Sequence, residues 1–195
     1  SNQAGAALGA WVAPAGDVDG DGYDDALVGV PGWDVTLNGN EGRALLFRGS
    51  ATGLAGAAAW TFEGDQIDAG AGTVVASAGD VNGDGYADAL VAAPAYSAGQ
   101  TSEGRAWLFL GGASGLSTTA SWTVDGEQNG AGFGESIAGV RDVDADGYGD
   151  VLVGAPGWDE GATTDAGKAA LFLGGSTGLA STSSWSAAGS GSPLS

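Results

Sequence analysis

The sequence contains no cysteine, no histidine and no methionine among its 195 residues, and only five residues are lysine or arginine. Without cysteine there are no disulfide cross-links, no thiolate ligands and no thiol nucleophiles. Without histidine, the commonest general base and the usual imidazole ligand of transition metals are missing. These absences leave carboxylates as the main reactive groups and argue against most kinds of enzyme.

The charge of the chain is strongly one-sided, because 24 aspartate and glutamate residues give a formal net charge of −19. A surface this acidic repels nucleic acid and anionic membranes, so neither is expected as a partner. No apolar run approaches the length of a transmembrane helix, and no signal peptide or initiating methionine is present. We therefore interpret the sequence as a processed or recombinant chain that does not insert into a membrane.

A nine-residue acidic loop occurs three times, at residues 17–25, 80–88 and 142–150, and holds 12 of the 24 acidic residues. Oxygen-bearing side chains occupy loop positions 1, 3, 5 and 9, glycine occupies position 6, and a tyrosine at position 7 offers its backbone carbonyl. A solvated acidic turn has no reason to keep this pattern in three copies, whereas Ca²⁺ requires it. We therefore predict three Ca²⁺ ions per chain. The predicted ligands are Asp17, Asp19, Asp21, Tyr23, Asp25, Asp80, Asn82, Asp84, Tyr86, Asp88, Asp142, Asp144, Asp146, Tyr148 and Asp150.

Position 12 distinguishes these loops from EF-hand and dockerin sites. Both of those classes need an acidic ligand at that position and a helix beside the loop. This chain instead has Val28, Val91 and Val153 there, each within an apolar run. We therefore expect the carboxylate at position 9 to supply the bidentate ligand.

The three loops belong to a longer repeat. Asp17 and Asp80 are 63 residues apart, and Asp80 and Asp142 are 62 residues apart. Other landmarks keep the same step: Trp60, Trp122 and Trp185; Pro31, Pro94 and Pro156; Arg43, Arg105 and Lys168. This period predicts three copies of one unit, at residues 3–65, 66–127 and 128–190.

Each unit is expected to contain four antiparallel strands. Short apolar runs follow the loops at residues 26–30, 89–93 and 151–155 and end at proline, which is typical of buried strands. Another apolar segment precedes each loop, so the loop joins two strands as a hairpin. A third strand follows the repeated basic residue, and a glycine turn leads to a fourth that carries the repeated tryptophan. The sequence therefore predicts an all-β fold of three four-stranded propeller blades.

The residues around the third loop resemble a known repeat. Gly132-Phe133-Gly134 precedes the first strand, and Val153-Gly154-Ala155-Pro156 follows the loop, as in the FG-GAP repeat of the integrin alpha-subunit propeller and its bacterial relatives. The other repeats match more loosely, with Leu8-Gly9 and Ala71-Gly72 at the first motif. The resemblance implies a propeller with calcium hairpins on its lower rim, and with ligand or partner binding on its upper face or between blades.

Three repeats are too few for a closed ring, because propellers normally close with about four to eight blades. An open arc leaves two unpaired faces, which favours association. Either the chain is part of a longer propeller, or copies of the chain assemble. Because the sequence ends at a complete third unit, we expect a homo-oligomer, and a dimer that forms a six-bladed ring is the simplest symmetric closure.

The rim opposite the acidic loops is the candidate ligand surface. Trp33, Tyr96 and Trp158 each follow the repeated proline by two residues. Polar side chains accompany them on neighbouring loops: Glu63, Asp65, Asp125, Glu127, Gln128 and Asn129. Such rings can stack on sugars or anchor a protein partner. The alternative is that they cover the hydrophobic rim between adjacent blades.

Two further sets of repeated residues have structural interpretations. The strand position and strict spacing of Trp60, Trp122 and Trp185 predict packing between blades. The repeated basic residues, Arg43, Arg105 and Lys168, are expected to pair with nearby carboxylates. Neither set is predicted to bind a ligand.

Catalysis is not expected. Asp159, Glu160 and Asp165 lie together on one loop of the third repeat, and a carboxylate pair can serve glycoside hydrolysis. The matching loop of the second repeat carries only Glu103, and no motif indicates a shaped active site.

The sequence therefore predicts a calcium-stabilised, non-catalytic extracellular propeller module that binds or adheres to a protein or a glycan. The alternative is a structural assembly unit whose main partner is another copy of the same chain. Calcium sites of this kind fill where the ion is abundant, so we expect a secreted or cell-surface bacterial protein, with the periplasm as another compartment.

Overall fold

The computed structural model describes residues 3–35 and 39–189, and every regular element in those ranges is a β-strand. Neither range contains a helix that could span a membrane. The strands of blade 1 are β1 (Trp11–Gly16), β2 (Asp25–Val30), β3 (Arg43–Phe47) and β4 (Trp60–Glu63). Those of blade 2 are β5 (Val74–Gly79), β6 (Asp88–Ala93), β7 (Arg105–Phe109) and β8 (Trp122–Asp125). Those of blade 3 are β9 (Ser136–Arg141), β10 (Asp150–Ala155), β11 (Lys168–Phe172) and β12 (Trp185–Ala188).

Each blade is a separate antiparallel sheet in which the strands pair in chain order, so the predicted fold of three four-stranded blades is confirmed. The first strand of each blade runs farther toward the acidic loop than the apolar pattern indicates, to Gly16, Gly79 and Arg141. In β1 and β5 the register shifts just before the last residue, which has a positive φ. This bulge breaks the alternation of apolar side chains, and the sequence pattern therefore stops short of the strand end.

The hydrophobic core lies between the blades. One cluster of buried residues joins blades 1 and 2, with Leu46 and Val91 among its members. The other joins blades 2 and 3, with Leu108 and Val153 among its members. The strands β1, β5 and β9 lie next to one another on the inner side of the arc. A blade therefore buries its face only where another blade packs against it.

Two of the repeated tryptophans confirm the predicted packing between blades. Trp60 is buried, and its indole Nε1 donates a 2.8 Å hydrogen bond to the carbonyl of Ser117 in blade 2. The buried Trp122 donates an equivalent bond to a carbonyl of blade 3. Trp185 holds the same position in blade 3, but no described residue packs there as a fourth blade, and the side chain is 52% exposed.

The outer face of blade 1 is also open. Trp11 and Val12 of β1 are 45% and 67% exposed, and Leu8 is exposed just before them. Large apolar side chains with this exposure are typical of a surface that another blade or chain covers. The three blades thus form an open arc.

The strand order places two kinds of loop at opposite ends of each blade. The acidic loop, which joins the first and second strands, shares one end with the turn between the third and fourth strands. We call this end the acidic rim. The loop between the second and third strands and the connection to the next blade share the other end. We call it the aromatic rim, because it carries Trp33, Tyr96 and Trp158.

Candidate metal centre

The acidic loops bring their carboxylates together at the acidic rim. In the first loop, carboxylate oxygens of Asp17, Asp19 and Asp21 all lie within 4.8 Å of one another. The same distance holds in the third loop for Asp142, Asp144 and Asp146. Carboxylates at this spacing repel one another unless a cation lies between them. Oxygen atoms alone are the donor set of a hard divalent cation, so the residues fit Ca²⁺.

The first aspartate of the loop organises the turn. Asp17 Oδ1 accepts hydrogen bonds from the amides of Gly20 and Asp21 at 2.7 and 3.1 Å, and Asp17 Oδ2 accepts one from Gly22 at 2.9 Å. The hydrogen bond from Gly22 holds the pKa of Asp17 below its ordinary value. Gly22 itself has a φ of 90°, which explains the glycine at position 6.

The aspartates at position 9 are buried and tie each loop to the turn between the third and fourth strands. Asp25 Oδ2 accepts a 3.1 Å hydrogen bond from the amide of Val18, and Asp25 Oδ1 accepts a 2.8 Å bond from Gly49. Asp88 and Asp150 make the same two bonds in their own blades. Each oxygen keeps a second lone pair, so these bonds leave room for a metal. The sequence pattern indicates metal binding at this position but does not indicate this anchoring role.

Asp88 has the most perturbed carboxylate of the three loops. It is fully buried, and its burial raises its pKa to about 6, with the nearby charges of Asp84 and Asp80 acting in the same direction. A bound cation favours the charged form of such a group. In this loop Asn82 takes the place of an aspartate, and its amide nitrogen donates a 2.9 Å hydrogen bond to Asp84 Oδ2. The second loop therefore offers one carboxylate fewer than the others.

The first loop differs because a basic side chain of the protein already contacts it. Arg48 Nε lies 3.0 Å from Asp19 Oδ2, and Arg48 donates a 2.9 Å hydrogen bond to the carbonyl of Ser114 in blade 2. The equivalent residues of blades 2 and 3 are Leu110 and Leu173. A positive charge at this distance weakens the attraction of the loop for a metal ion.

The blade that follows holds each of the first two loops from outside. The amide of Ala87 donates a 3.0 Å hydrogen bond to the carbonyl of Asp17 in the first loop. The amide of Gly149 donates a 2.8 Å bond to the carbonyl of Asp80 in the second. The third loop has no blade after it among the described residues. It therefore lacks the outer support that the first two loops receive, and contacts the second loop through Gly149 and Tyr148.

A tyrosine of the following loop also covers position 4 of the first two loops. The ring of Tyr86 lies against Gly20, where a Cβ atom would be 2.8 Å from the ring. Tyr148 covers the second loop in the same way. The third loop has Ala145 at this position, and its Val143 is 52% exposed, whereas the equivalent valines of the other loops are fully buried.

The rings of the aromatic rim are stacked on basic side chains. The guanidinium carbon of Arg43 lies 3.5 Å from the ring centroid of Trp33, and Arg43 also pairs with Glu63. Arg105 likewise stacks on Tyr96 and pairs with Asp125 of its own blade. Lys168 stacks on Trp158 but pairs with Glu127 of blade 2, because its strand partner in blade 3 is Ala188. The predicted pairing of the repeated basic residues is thus confirmed. Each stack covers one face of a ring, so the rings take part in packing the rim, and their predicted ligand role stays a prediction.

The predicted companions of these rings have internal partners as well. Gln128 Nε2 donates a 3.1 Å hydrogen bond to the carbonyl of Asp159, and the amide of Asp159 donates a 2.8 Å bond to Gln128 Oε1. Equivalent clamps join Gln66 to Ser97 and Gln3 to Asp34. Asn129 Oδ1 accepts a 2.8 Å bond from the amide of Thr101. The glutamine clamp was not predicted, although Gln3, Gln66 and Gln128 keep the repeat spacing.

The carboxylate cluster of blade 3 supports its own loop. The amide of Asp165 donates a 2.8 Å hydrogen bond to Asp159 Oδ1, and Trp158 Nε1 donates a 3.3 Å bond to Glu160 Oε2. The carboxylates of Asp159 and Glu160 are therefore engaged in shaping the loop between β10 and β11.

Comparison with known protein families finds the repeat in all three blades. The model of the FG-GAP repeat matches residues 8–47, 71–109 and 133–172, which together exceed half of the chain. Each matched range runs from just before the first strand of a blade to the end of the third strand. The match therefore includes every acidic loop.

Comparison with curated proteins finds integrin alpha subunits. The chain is 37% identical to integrin alpha-IIb of Mus musculus over 147 residues, 32% identical to integrin alpha-4 of Xenopus laevis over 145, and 34% identical to integrin alpha-V of Gallus gallus over 152. The alignments cover 72%, 72% and 73% of the chain, but only 14% of each relative. The chain thus spans a small part of the length of these relatives.

Proposed function

The chain belongs to the FG-GAP repeat family, and on that premise we propose that it is a calcium-stabilised, non-catalytic propeller module for extracellular binding or adhesion. The observation that carries the proposal is the acidic rim. There the first and third loops each gather three carboxylates, and all three loops contain a buried aspartate at position 9. Repulsion within such clusters is relieved when a divalent cation binds, and oxygen donors without nitrogen or sulfur favour Ca²⁺.

In this proposal the side chains at loop positions 1, 3, 5 and 9 and the carbonyl at position 7 would hold each ion. Because Asp25, Asp88 and Asp150 also accept amide hydrogen bonds from the adjacent turn, a bound ion would fix the loop and the turn together. Three divalent ions would change the formal charge from −19 to −13. The chain would remain acidic, which supports a partner other than nucleic acid or an anionic membrane.

Calorimetric titration of the chelator-treated chain with calcium chloride tests the metal part of the proposal. We expect three sites on the unaltered chain and two on the double variant Asp80→Asn with Asp84→Asn. The control variant Asp68→Asn, which changes an exposed aspartate outside the loops, should keep three sites. A folded chain that binds no ion, or one, would contradict the proposal.

The binding role is supported by the integrin alpha relatives, and the aromatic rim is its candidate surface. Glycan and protein arrays probed with and without calcium test it. We expect calcium-dependent binding that Trp33→Ala and Trp158→Ala weaken. The control Leu54→Ala changes an apolar side chain that is exposed on the acidic rim and should leave binding intact. Absence of any binding partner on such arrays would favour the second candidate.

The second candidate is a structural unit whose main partner is another copy of the chain, and the complementary outer faces favour it. Within the chain, the repeated tryptophan donates to the carbonyls of Ser117 and Ala180. The equivalent residue of blade 1 is Ala55, which is exposed. Trp185 of one copy would donate to Ala55 of another. Two such contacts would close two chains into a six-bladed ring.

Two residues of blade 3 would prevent the interface between two chains from having the same geometry as the interfaces between blades within one chain. Arg141 and Ala145 stand where blades 1 and 2 have glycine. If Tyr23 of a second copy were placed as Tyr86 is, its ring would meet the Cβ of Ala145 and would have to move.

Light scattering of the calcium-loaded chain tests assembly. The unaltered chain should form a dimer, Ala145→Gly should strengthen it, and Val12→Asp on the outer face of blade 1 should dissociate it. A stable monomer in all three samples would contradict the second candidate.

A further inference from the structure

A cavity of about 150 Å³ lies between blades 2 and 3, beside the aromatic rim. Its inner wall is apolar and includes Phe133, Val153 and Phe172. Its mouth carries Trp158, Lys168 and Glu127. Residues 181–183, all serine or threonine, line another part of the cavity. A partly open cavity with an apolar wall and a few polar groups is the usual form of a small-molecule site.

The equivalent space between blades 1 and 2 is filled by aromatic side chains of the protein. The ring centroid of Phe62 lies 5.1 Å from that of Trp107 and 4.9 Å from that of Phe109. At the blade 2 and 3 interface, the residue equivalent to Phe62 is Val124, and the residue equivalent to Trp107 is Ala170. Both replacements remove a ring, and both residues line the cavity.

Two replacements in the opposite direction restore only part of the lost volume. Phe133 stands where the other interface has Ala71, and Trp158 stands where it has Tyr96. The Phe133 ring packs against Phe172, with centroids 6.2 Å apart, and the Trp158 ring lies under Lys168 Nζ at 3.8 Å. The cavity persists beside these two rings.

We propose that this cavity binds a small molecule with one six-membered aromatic ring and a cationic group. The size supports a single ring, since an apolar cavity of about 150 Å³ takes up benzene. The internal repeat supports the same ring, because the corresponding space of the other interface holds the phenyl group of Phe62. The proposal goes beyond the proposed adhesion function, because a small aromatic cation is neither a protein nor a glycan.

Lys168 and Glu127 offset each other at the mouth, so the strongly negative net charge of the chain is what favours a cation over an anion. Asp125 is already paired with Arg105, but the Glu127 side chain is 71% exposed and has a single 3.3 Å contact with Lys168. An ammonium group at the mouth can pair with Glu127. A carboxylate there could pair with Lys168, but it would also meet Glu127 and the field of a chain whose net charge is −19, or −13 with three divalent ions bound.

Benzylamine, with benzoate as the anionic counterpart, is the probe for this site. In NMR titrations of the calcium-loaded chain, benzylamine should shift the indole resonance of Trp158 and the amide resonance of Ala170. The indole resonance of Trp107 in the other interface should not move. Benzoate should bind at least about tenfold more weakly.

Two variants fill the cavity with side chains that the repeat already uses at these positions. Val124→Phe copies Phe62, and Ala170→Leu copies Leu45 of blade 1. Each should weaken benzylamine binding by at least about tenfold. Thr123→Phe is the matched control, because it adds the same ring to the same strand at an exposed position that does not line the cavity, and it should leave binding unchanged.

The proposal is overturned if benzylamine shifts no resonance at the blade 2 and 3 interface, if benzoate binds equally well, or if both filled variants retain binding. The titration does not depend on adhesion to any protein or glycan. Failure of the array experiment with an intact benzylamine site would therefore count against the proposed function alone.

Discussion

The indole Nε1 of Trp122 donates a 2.9 Å hydrogen bond to the backbone carbonyl of Ala180, and this bond joins the outer strand of blade 2 to the last turn of blade 3. Trp122 itself is buried between the two blades. A residue of one blade thus stabilises the interface with the next one. Mutations at the repeated position should therefore have effects that depend on whether a blade follows.

Replacing Trp122 with phenylalanine should lower the free energy of unfolding by about 1–3 kcal/mol, because the indole is buried and its removal leaves the Ala180 carbonyl without its donor. Trp185→Phe should change the free energy of unfolding by less than about 0.5 kcal/mol, since its side chain is 52% exposed. Urea unfolding of dilute, monomeric protein measures both values. Equal losses in the two variants would contradict the proposed dependence on a following blade.

Removing calcium should lower the melting temperature of the chain. At about a hundred times the dissociation constant, one bound ion stabilises the folded state by about 2.7 kcal/mol. Asp84→Ala should remove most of one site's contribution, and calorimetry with and without EDTA would show a smaller drop for this variant than for the unaltered chain. An unchanged melting temperature after EDTA treatment would contradict a structural role for the metal.

Replacing Arg48 with leucine should tighten calcium binding at the first loop by about two- to fivefold, because it removes a charge that lies 3.0 Å from Asp19 Oδ2. Leucine is the residue that blades 2 and 3 carry at this position. Arg48→Lys keeps the charge, so its calcium affinity at the first loop should stay close to that of the unaltered chain. Titration calorimetry separates the two variants, and equal affinities for both would show that the charge of Arg48 does not limit the site.

Truncating Phe62 to valine gives the interface between blades 1 and 2 the residue that Val124 provides between blades 2 and 3. The change removes a ring that packs on Trp107 and Phe109, and it should lower the free energy of unfolding by about 1–3 kcal/mol. Val124→Leu adds volume at the equivalent position next to the cavity and should leave stability unchanged or raise it. Urea unfolding distinguishes the outcomes. A similar loss in both variants would mean that the two interfaces do not differ in packing.

The sequence predicted the blades because their signals are local and occur three times. The acidic loops, the apolar runs before the prolines and the tryptophan strands all fall within the strands or hairpins that the structure contains. The role of Trp60 was predictable because its spacing matches that of Trp122. Repetition of this kind allows one weak pattern to be checked against two others.

Contacts between distant segments were not predictable in the same way. Asp19 and Arg48 belong to different loops, and nothing in either segment alone indicates that they meet. The cavity depends on Val124 and Ala170, which are unremarkable strand residues until the blades are packed together. The polar side chains of the aromatic rim were predicted as ligand groups because the sequence does not show which of them have partners within the protein. In the structure, Gln128 and Asn129 accept hydrogen bonds from neighbouring loops.

The anchoring of Asp88 links the candidate metal site of the second loop to a different part of the molecule. Asp88 Oδ1 accepts a hydrogen bond from Gly111, which begins the turn whose Ser117 carbonyl receives the indole of Trp60 from blade 1. Loss of the ion from this loop would therefore weaken the interface between blades 1 and 2. Metal release and blade separation should then be cooperative along the row of blades, as expected when each unit is stabilised by its nearest neighbour. With Ca²⁺ as the proposed ion, the separation of neighbouring blades would then depend on the local calcium concentration.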